Sequence, residues 1–132
     1  MILIDTNCLI YFFYGRSESF SNWFVNLAAK DINVSNLTIF ELLKGFHFVE
    51  SKKGVQYVNE IVKSYNILDF TFNDACEASR IYNALKKLGN RNDSLDVLIA
   101  AQALNHKLTL TTFNYKDFEK IDKLKLKKLV LQ

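Results

Sequence analysis

Short apolar runs alternate with segments of helical periodicity along the whole 132-residue chain. The first run, residues 2–4, is followed at once by Asp5, Thr6 and Asn7, which favour the start of a helix. Apolar runs of this length between helices are typical of parallel strands buried on both faces. The pattern predicts an α/β fold in which helices cover both faces of a short parallel sheet of four to five strands. The predicted strands are residues 2–4, 32–34, 67–70, 108–111 and 124–126, and the predicted helices are 9–14, 20–30, 39–48 with Thr38 as its cap, 53–65, 74–88 and 95–105.

The composition is that of a folded globular domain, with 49% hydrophobic and 23% charged residues and no proline. These values exclude a disordered or collagen-like chain. A chain of this length usually forms one domain, so we expect a single domain over residues 1–132. The longest early apolar run, residues 8–14, is too short to cross a membrane. Cys8 and Cys76 lie among apolar residues and predict buried, reduced thiols, and we therefore expect a cytoplasmic protein.

The net charge of +3 is concentrated at one end of the chain. Residues 108–132 contain six Lys against three acids, whereas the 11 basic and 11 acidic residues of 1–107 sum to zero. A basic segment attracts polyanions. The same lysines also suit a solvated edge that keeps the protein in solution, and the charge pattern alone leaves both interpretations open.

Four acidic residues are expected at one edge of the predicted sheet. Asp5 follows the first strand, and Glu41 lies near the start of the helix after the second. Asp96 begins the helix that leads into the fourth strand, and Asp117 follows that strand. Ligands of open α/β sheets bind at the carboxyl ends of strands, and carboxylates gathered there repel one another and need a cation. Oxygen ligands suit Mg²⁺ or Mn²⁺, and neutral oxygens that could assist are those of Thr6, Asn7 and Asn114.

These acids also have a structural interpretation. Thr38 and Glu41 have the spacing of a capping box, in which the acid bonds back to the first residue of the helix. Asp93 and Asp96 likewise fit a helix cap followed by an acid that suits the helix dipole. Residues 74–77 have the same form and are interpreted as capping only. Asp5 is the exception, because an acid directly after an apolar strand with no basic residue nearby in sequence is more often functional.

Four segments of the chain resemble the PIN domain family, and specifically its VapC-type toxins of type II toxin–antitoxin systems. They are ILIDTNCLI at residues 2–10, ELLKG at 41–45, DVLIAA at 96–101 and LTTFNYKDF at 110–118. They follow the family's order and cover nearly the whole chain. The resemblance implies a PIN-like three-layer α/β/α sandwich and a Mg²⁺- or Mn²⁺-dependent endoribonuclease that hydrolyses RNA phosphodiester bonds. It also implies a cognate VapB-like antitoxin, and we further expect a homodimer that can join a larger toxin–antitoxin assembly.

The resemblance also assigns roles to individual residues. Asp5, Glu41 and Asp96 match the family's three most regular acids, with Asp5 and Asp96 as the metal ligands. Asp117 matches a fourth, more variable position, and it or Glu41 would orient the attacking water or bind a second ion. Because residue 114 is Asn rather than an acid, we expect one bound ion rather than two. Cleavage would leave 5′-phosphate and 3′-hydroxyl ends.

Two further surfaces are predicted, one for RNA and one for a partner protein. Lys86, Lys87 and Arg91 precede the helix of Asp96 and are candidates to hold the RNA backbone, although such residues also occur simply as exposed helix charges. Ten of the 18 aromatic residues lie between residues 11 and 48, which is more than one small core needs. Part of them would form a groove for an antitoxin helix or strand, or a homodimer face. The candidates are Tyr11, Tyr14, Trp23 and Phe46.

Three other functions fit parts of the pattern. A PIN-domain ribonuclease with a housekeeping role in RNA processing has the same residues, and only genomic context separates it from a toxin. A catalytically inactive binding module is disfavoured by the presence of all four acids. A phospho-acceptor receiver domain would need an acidic pair after the first strand, whereas this strand ends in Asp-Thr-Asn.

Overall fold

The computed structural model describes residues 1–90 and 93–130. Within them, the strands are β1 (Ile2–Ile4), β2 (Ile32–Ser35), β3 (Asn66–Leu68), β4 (Thr109–Thr112) and β5 (Leu126–Lys128). The helices are α1 (Thr6–Tyr14), α2 (Glu18–Val25), α3 (Asn36–Phe48), α4 (Lys52–Ser64), α5 (Phe72–Lys87) and α6 (Ser94–Asn105). The strands form one sheet in the order β3-β2-β1-β4-β5, and every neighbouring pair is parallel.

Successive residues of each strand point to opposite faces of the sheet, so each face has its own core. Leu3 belongs to a cluster with α5 and α6 that includes Ile81 and Ala100. Ile4 belongs to a second cluster with α1 to α4 that includes Leu9 and Leu42. Helices therefore cover both faces, and the predicted three-layer α/β/α sandwich is confirmed.

The direction in which the strands are added reverses between β1 and β4. From β1 the chain continues outward through β2 to β3, and then crosses back to form β4 and β5 on the other side of β1. In open parallel sheets such a reversal leaves a crevice at the carboxyl ends of the two strands, where ligands bind. Asp5 follows β1 and Phe113 follows β4 at this point, so the topology singles out the edge that carries the acids.

The two helices that cover the face of Leu3, α5 and α6, are antiparallel. Asn105, the last residue of α6, donates its side-chain amide to Asp74 in the first turn of α5 at 2.8 Å. The end of α5 therefore lies beside the start of α6. This pairing brings the last turn of α5 towards the carboxyl edge of β1 and β4.

α3 begins earlier than the sequence predicts, because a different side chain caps it. The Ser35 hydroxyl accepts the Leu37 amide at 3.1 Å, and the helix starts at Asn36. Thr38 lies inside the helix and is fully buried. The prediction that Thr38 caps α3 is therefore wrong.

The start of α5 and the end of α2 also differ from prediction. The Thr71 hydroxyl accepts the Asp74 amide at 3.2 Å, and Asp74 accepts the Thr71 amide at 2.9 Å, which completes a capping box. The prediction from residues 74–77 was that Asp74 is the cap. Asp74 is instead the acid of the box, and Thr71 is the cap. α2 ends at Val25 rather than residue 30, and a short 3₁₀ turn, Ala29–Asp31, leads into β2.

Two other expectations concerned buried, reduced cysteines and the absence of a membrane-spanning segment. Cys8 is buried and Cys76 is only half-buried, and both thiols are free. None of the helices in the described part of the chain is long and apolar enough to cross a membrane.

Candidate active site

Asp5 is buried at the reversal of strand order, where it caps α1. Its Oδ1 accepts the Cys8 amide at 3.0 Å, and only 6% of the residue is exposed. Burial raises the pKa of this carboxyl above its ordinary value, although hydrogen bonds from Thr112 and Cys8 act in the opposite direction. A carboxylate desolvated in this way interacts more strongly with a nearby cation than an exposed one does.

Thr112 also holds this carboxylate, although it was not among the residues predicted for the site. It is fully buried at the end of β4, where its hydroxyl contacts Asp5 and accepts the Asn114 amide at 2.9 Å. The available signal was its position, because a hydroxyl that ends a strand beside a topological reversal is well placed to orient a neighbouring acid.

Glu41 reaches the same region from the second turn of α3. Thr6 donates its hydroxyl to Glu41 Oε1 at 2.6 Å, and the hydroxyl oxygens of Thr6 and Thr38 lie 3.2 Å apart. Because α3 starts at Asn36, Glu41 is too far along the helix to bond back to its first residue, and the capping-box interpretation is wrong. The hydroxyl of Thr6 instead fixes Glu41 close to the start of α1.

Asp96 lies in the first turn of α6 and is surrounded by negative charge. Its pKa is raised to about 7, first by burial and then by the like charges of four other acids, Asp93, Asp117, Asp5 and Glu41. The chain thus brings Asp5, Glu41 and Asp117 within electrostatic reach of Asp96. These four residues are called the acid cluster below.

The acid cluster fits a hard divalent cation. No Lys or Arg among residues 1–90 and 93–130 forms an ion pair with Asp5, Glu41 or Asp96. In the same part of the chain, no group of three or more His, Cys, Asp or Glu side chains is arranged so that it could hold a metal ion by itself. Mg²⁺ does not need one, because it keeps several waters and commonly binds to one or two carboxylates plus a substrate phosphate. An open group of oxygen donors with excess negative charge suits that chemistry.

The other predicted members of the site differ in exposure. Thr6 is half-buried, whereas Asn7 and Asn114 are exposed to solvent. Asp117 is exposed on a single 3₁₀ turn, Tyr115–Asp117, that follows β4. Both asparagines therefore have side chains open to solvent at the carboxyl edge.

The lysines predicted to hold RNA lie near the start of α6, the helix of Asp96. Lys86 and Lys87 are exposed in the last turn of α5, which the antiparallel packing brings beside the start of α6. Arg91 lies outside the described residues. Contact of these three side chains with RNA stays a prediction.

The four aromatic residues predicted for a partner surface are not equally accessible. Tyr14 is 53% exposed, and Tyr11 and Trp23 are half-buried. Phe46 is only 4% exposed and packs against Phe13, with 4.9 Å between the ring centroids. The prediction that Phe46 is an exposed aromatic is therefore wrong, because much of the aromatic surface of α1 to α4 is used to pack these helices on each other.

The raised pKa of Asp96 predicts how the metal-free protein responds to pH. In the unfolded chain this carboxyl titrates near its ordinary value of 3.8, so between there and about pH 7 the folded state binds the extra proton. Stability should therefore fall as pH rises through this window. Melting temperature measured against pH in EDTA tests this, and Asp96→Asn should flatten the profile. A wild-type melting temperature that rises with pH across the window would contradict it.

Comparison with known proteins agrees with this geometry. The family model described as PIN domain matches residues 2–124 of the chain. The chain is 30% identical to Ribonuclease VapC1 of Rickettsia felis over 131 residues, which are 95% of this chain and 93% of that protein. It is 28% identical to Ribonuclease VapC2 of Haemophilus influenzae over 120 residues, which are 90% of each chain.

Solved structures give the same result. The fold is similar to that in the crystal structure of VapBC2 from Rickettsia felis bound to a DNA fragment from the promoter, with a TM-score of 0.88 and 26% identity over 98% of this chain and all of that one. It is also similar to FitAcB from Neisseria gonorrhoeae, with a TM-score of 0.82 and 27% identity over 96% of each chain. The family match, the sheet topology and these relatives show that the chain belongs to the PIN domain family, among its VapC-type members.

Proposed function

We propose that the chain is a Mg²⁺- or Mn²⁺-dependent endoribonuclease toxin that hydrolyses RNA phosphodiester bonds. The observation that carries this proposal is the acid cluster at the reversal of strand order, where burial and then like charges raise the pKa of Asp96 to about 7. Such an arrangement costs free energy unless a cation occupies it. Relatives that are named ribonucleases support RNA as the substrate.

In this mechanism Asp5 and Asp96 would hold the ion. When bound, the ion supplies a water of lowered pKa and offsets the charge that develops on the phosphate and the leaving oxygen. Thr112 keeps the Asp5 carboxylate in position. Glu41, fixed by the hydroxyl of Thr6, orients the water for in-line attack, with Asp117 as the second acid available for this role. The water oxygen forms a bond to phosphorus while the bond to the 3′ oxygen breaks, and the 3′ oxygen takes up a proton, which leaves 5′-phosphate and 3′-hydroxyl ends.

The cleavage chemistry can be tested by sequencing RNA ends after a brief pulse of expression. Wild-type protein should produce new ends that carry a 5′-phosphate, and Asp5→Asn should produce none of them. Identical ends in both cultures would contradict the proposal, because they would then come from host nucleases.

The partner in this proposal is a VapB-like antitoxin. Solved structures similar to this chain are VapBC complexes. A groove between α1 and α3 supports such a partner, because it is largely apolar and has Glu41 of the acid cluster among its lining residues. An apolar antitoxin segment would lie in the groove while an Arg reaches the carboxylates, which its planar fork can bind in bidentate fashion. The residues that line the groove are Ile10, Tyr14, Glu41, Leu42, Gly45, Phe46 and Val49.

The predicted homodimer belongs to the same proposal. Light scattering of the purified chain, alone and with antitoxin, would measure it. We expect a dimer of the free chain and a larger complex with the antitoxin. A free chain that stays monomeric at high concentration would contradict the predicted homodimer.

Asp93→Asn should keep most of the cleavage activity, in contrast to Asp96→Asn. Asp93 is exposed and caps α6, with its Oδ1 accepting the Leu95 amide at 2.8 Å. Losing a cap altogether costs about 0.5–2 kcal/mol. Because Asn is itself a good cap, the free energy of unfolding should fall by no more than that. Cleavage rates of both variants and denaturant unfolding of each are the measurements. If the two variants lost activity equally, the assignment of Asp96 as the ligand would be wrong.

A further inference from the structure

Two lysines at the end of β5, Lys127 and Lys128, each lie over an aromatic ring; they are called the β5 lysine pair below. Lys127 Nζ is 4.9 Å from the centroid of the Trp23 ring, and Lys128 Nζ is 4.5 Å from that of Tyr115. A ring attracts an ammonium group without neutralising its charge. The β5 lysine pair therefore presents two positioned ammonium groups, one on each face of the strand.

The β5 lysine pair stands at the same edge of the sheet as the acid cluster. Thr111 of β4 pairs with Lys127 on one side and with Ile4, the residue before Asp5, on the other. β5 is thus two strands from β1, which is about 10 Å. Because all these strands are parallel, their carboxyl ends meet at one edge.

The charge around the β5 lysine pair is strongly positive. Residues 123–128 contain four Lys and no acid. Neither lysine of the pair forms an ion pair with a carboxylate anywhere in the described residues. The acid cluster by itself repels a polyanion, so an RNA strand that reaches it needs cations along its path.

We propose that the β5 lysine pair binds the phosphates of single-stranded RNA next to the cleaved bond, so that the RNA crosses the carboxyl edge from β1 towards β5. This inference rests on the proposed ribonuclease function. Phosphate contacts position a nucleic acid without reading its sequence. The pair therefore contributes to affinity and register, and it adds a second flank to the one predicted at Lys86 and Lys87.

Lysines of an edge strand can also serve only to prevent pairing with strands of other molecules. That role and the RNA role differ in what they predict. Edge protection alone predicts aggregation when the charges are removed and no change in RNA affinity. The RNA role predicts weaker RNA binding by a protein that stays in solution.

The experiment measures RNA binding by Lys127→Gln/Lys128→Gln in an Asp96→Asn background, which prevents cleavage. The probe is a short fluorescein-labelled single-stranded RNA of mixed sequence, followed by anisotropy over a range of salt concentrations. Affinity should fall about tenfold. The loss should be similar for every RNA sequence, since removing a phosphate contact weakens binding about uniformly across sequences. The slope of log affinity against log salt should become shallower by about 1.4, at roughly 0.7 for each phosphate contact with a single strand.

The matched control is Lys52→Gln/Lys53→Gln, which removes the same charge at the start of α4 and should leave the slope unchanged. Lys128→Gln alone should give about half the change in slope. This single variant keeps the test decisive if the double variant fails to fold. RNA binding by the double variant equal to that of the control would overturn the proposal. So would a loss of antitoxin binding with RNA affinity unchanged, because the surface would then be a protein interface.

The same series separates this inference from the proposed function. Wild-type protein that binds the probe through the β5 lysine pair and cleaves no RNA would refute the ribonuclease and leave the RNA path intact. A Lys127→Gln/Lys128→Gln variant with Asp96 intact that cleaves RNA with the same KM as the wild type would refute the path and leave the ribonuclease intact.

Discussion

Asp5→Asn and Asp96→Asn should each reduce RNA cleavage by more than about a hundredfold, because loss of even an outer-shell partner of a metal commonly costs 10- to 100-fold. Both residues lie at the crevice between β1 and β4, and each carboxyl has a raised pKa because of its burial. An Asn keeps the shape of the side chain and removes its charge. The metal-free variants should therefore stay folded, with melting temperatures at or above that of the wild type at neutral pH.

Asp69→Asn is the matched control for these variants. Asp69 follows β3 at the same edge of the sheet and is exposed, and it is not among the charges that raise the pKa of Asp96. Its variant should cleave like the wild type. Cleavage of a labelled RNA and circular dichroism of each variant are the measurements. Wild-type activity in Asp96→Asn would show that the cation is held elsewhere.

The second large effect concerns the antitoxin. Tyr14→Ala should weaken the complex by about 2 kcal/mol or more, since a few aromatic anchors dominate most interfaces. Tyr14 is 53% exposed and lines the groove between α1 and α3. The free variant should cleave RNA at nearly the wild-type rate, because the ring belongs to the groove and not to the acid cluster. A binding isotherm and a cleavage assay on each protein measure both quantities.

Two comparisons sharpen this test. Phe72→Ala removes a ring that is 81% exposed on α5, on the other face of the sheet, and should leave the complex intact. Replacing the antitoxin's Arg should restore much of the cleavage while weakening the complex only modestly. An antitoxin that leaves the acid cluster accessible to RNA would contradict this account of silencing.

The sheet and its acids were predictable because they depend on patterns that span many residues. Short apolar runs between helical segments predicted the locations of β1 to β5 to within two residues, although β5 is an edge strand that ends in two exposed lysines. Each acid of the cluster follows a strand or lies near the start of a helix. Once the strands are parallel, those positions meet at one edge whatever the side-chain details.

The caps and the buried aromatics were not predictable, because each depends on a single contact. Ser35 and Thr38 are both good caps, and the path of the backbone after β2 selects Ser35. Phe46 is buried because Gly54 of α4 leaves space for its ring, where a Cβ would overlap it. Nothing in the sequence pairs residue 46 with residue 54, so this close approach is visible only in the structure.

The central claim is that a divalent cation at the acid cluster carries the cleavage. The most direct measurement is cleavage of a labelled RNA by the purified chain in EDTA, and then with Mg²⁺ or Mn²⁺ added back, with Asp5→Asn measured in parallel. We expect no cleavage in EDTA, recovery of wild-type cleavage when either ion is restored, and no recovery for Asp5→Asn. Full cleavage by the wild type in EDTA would contradict it.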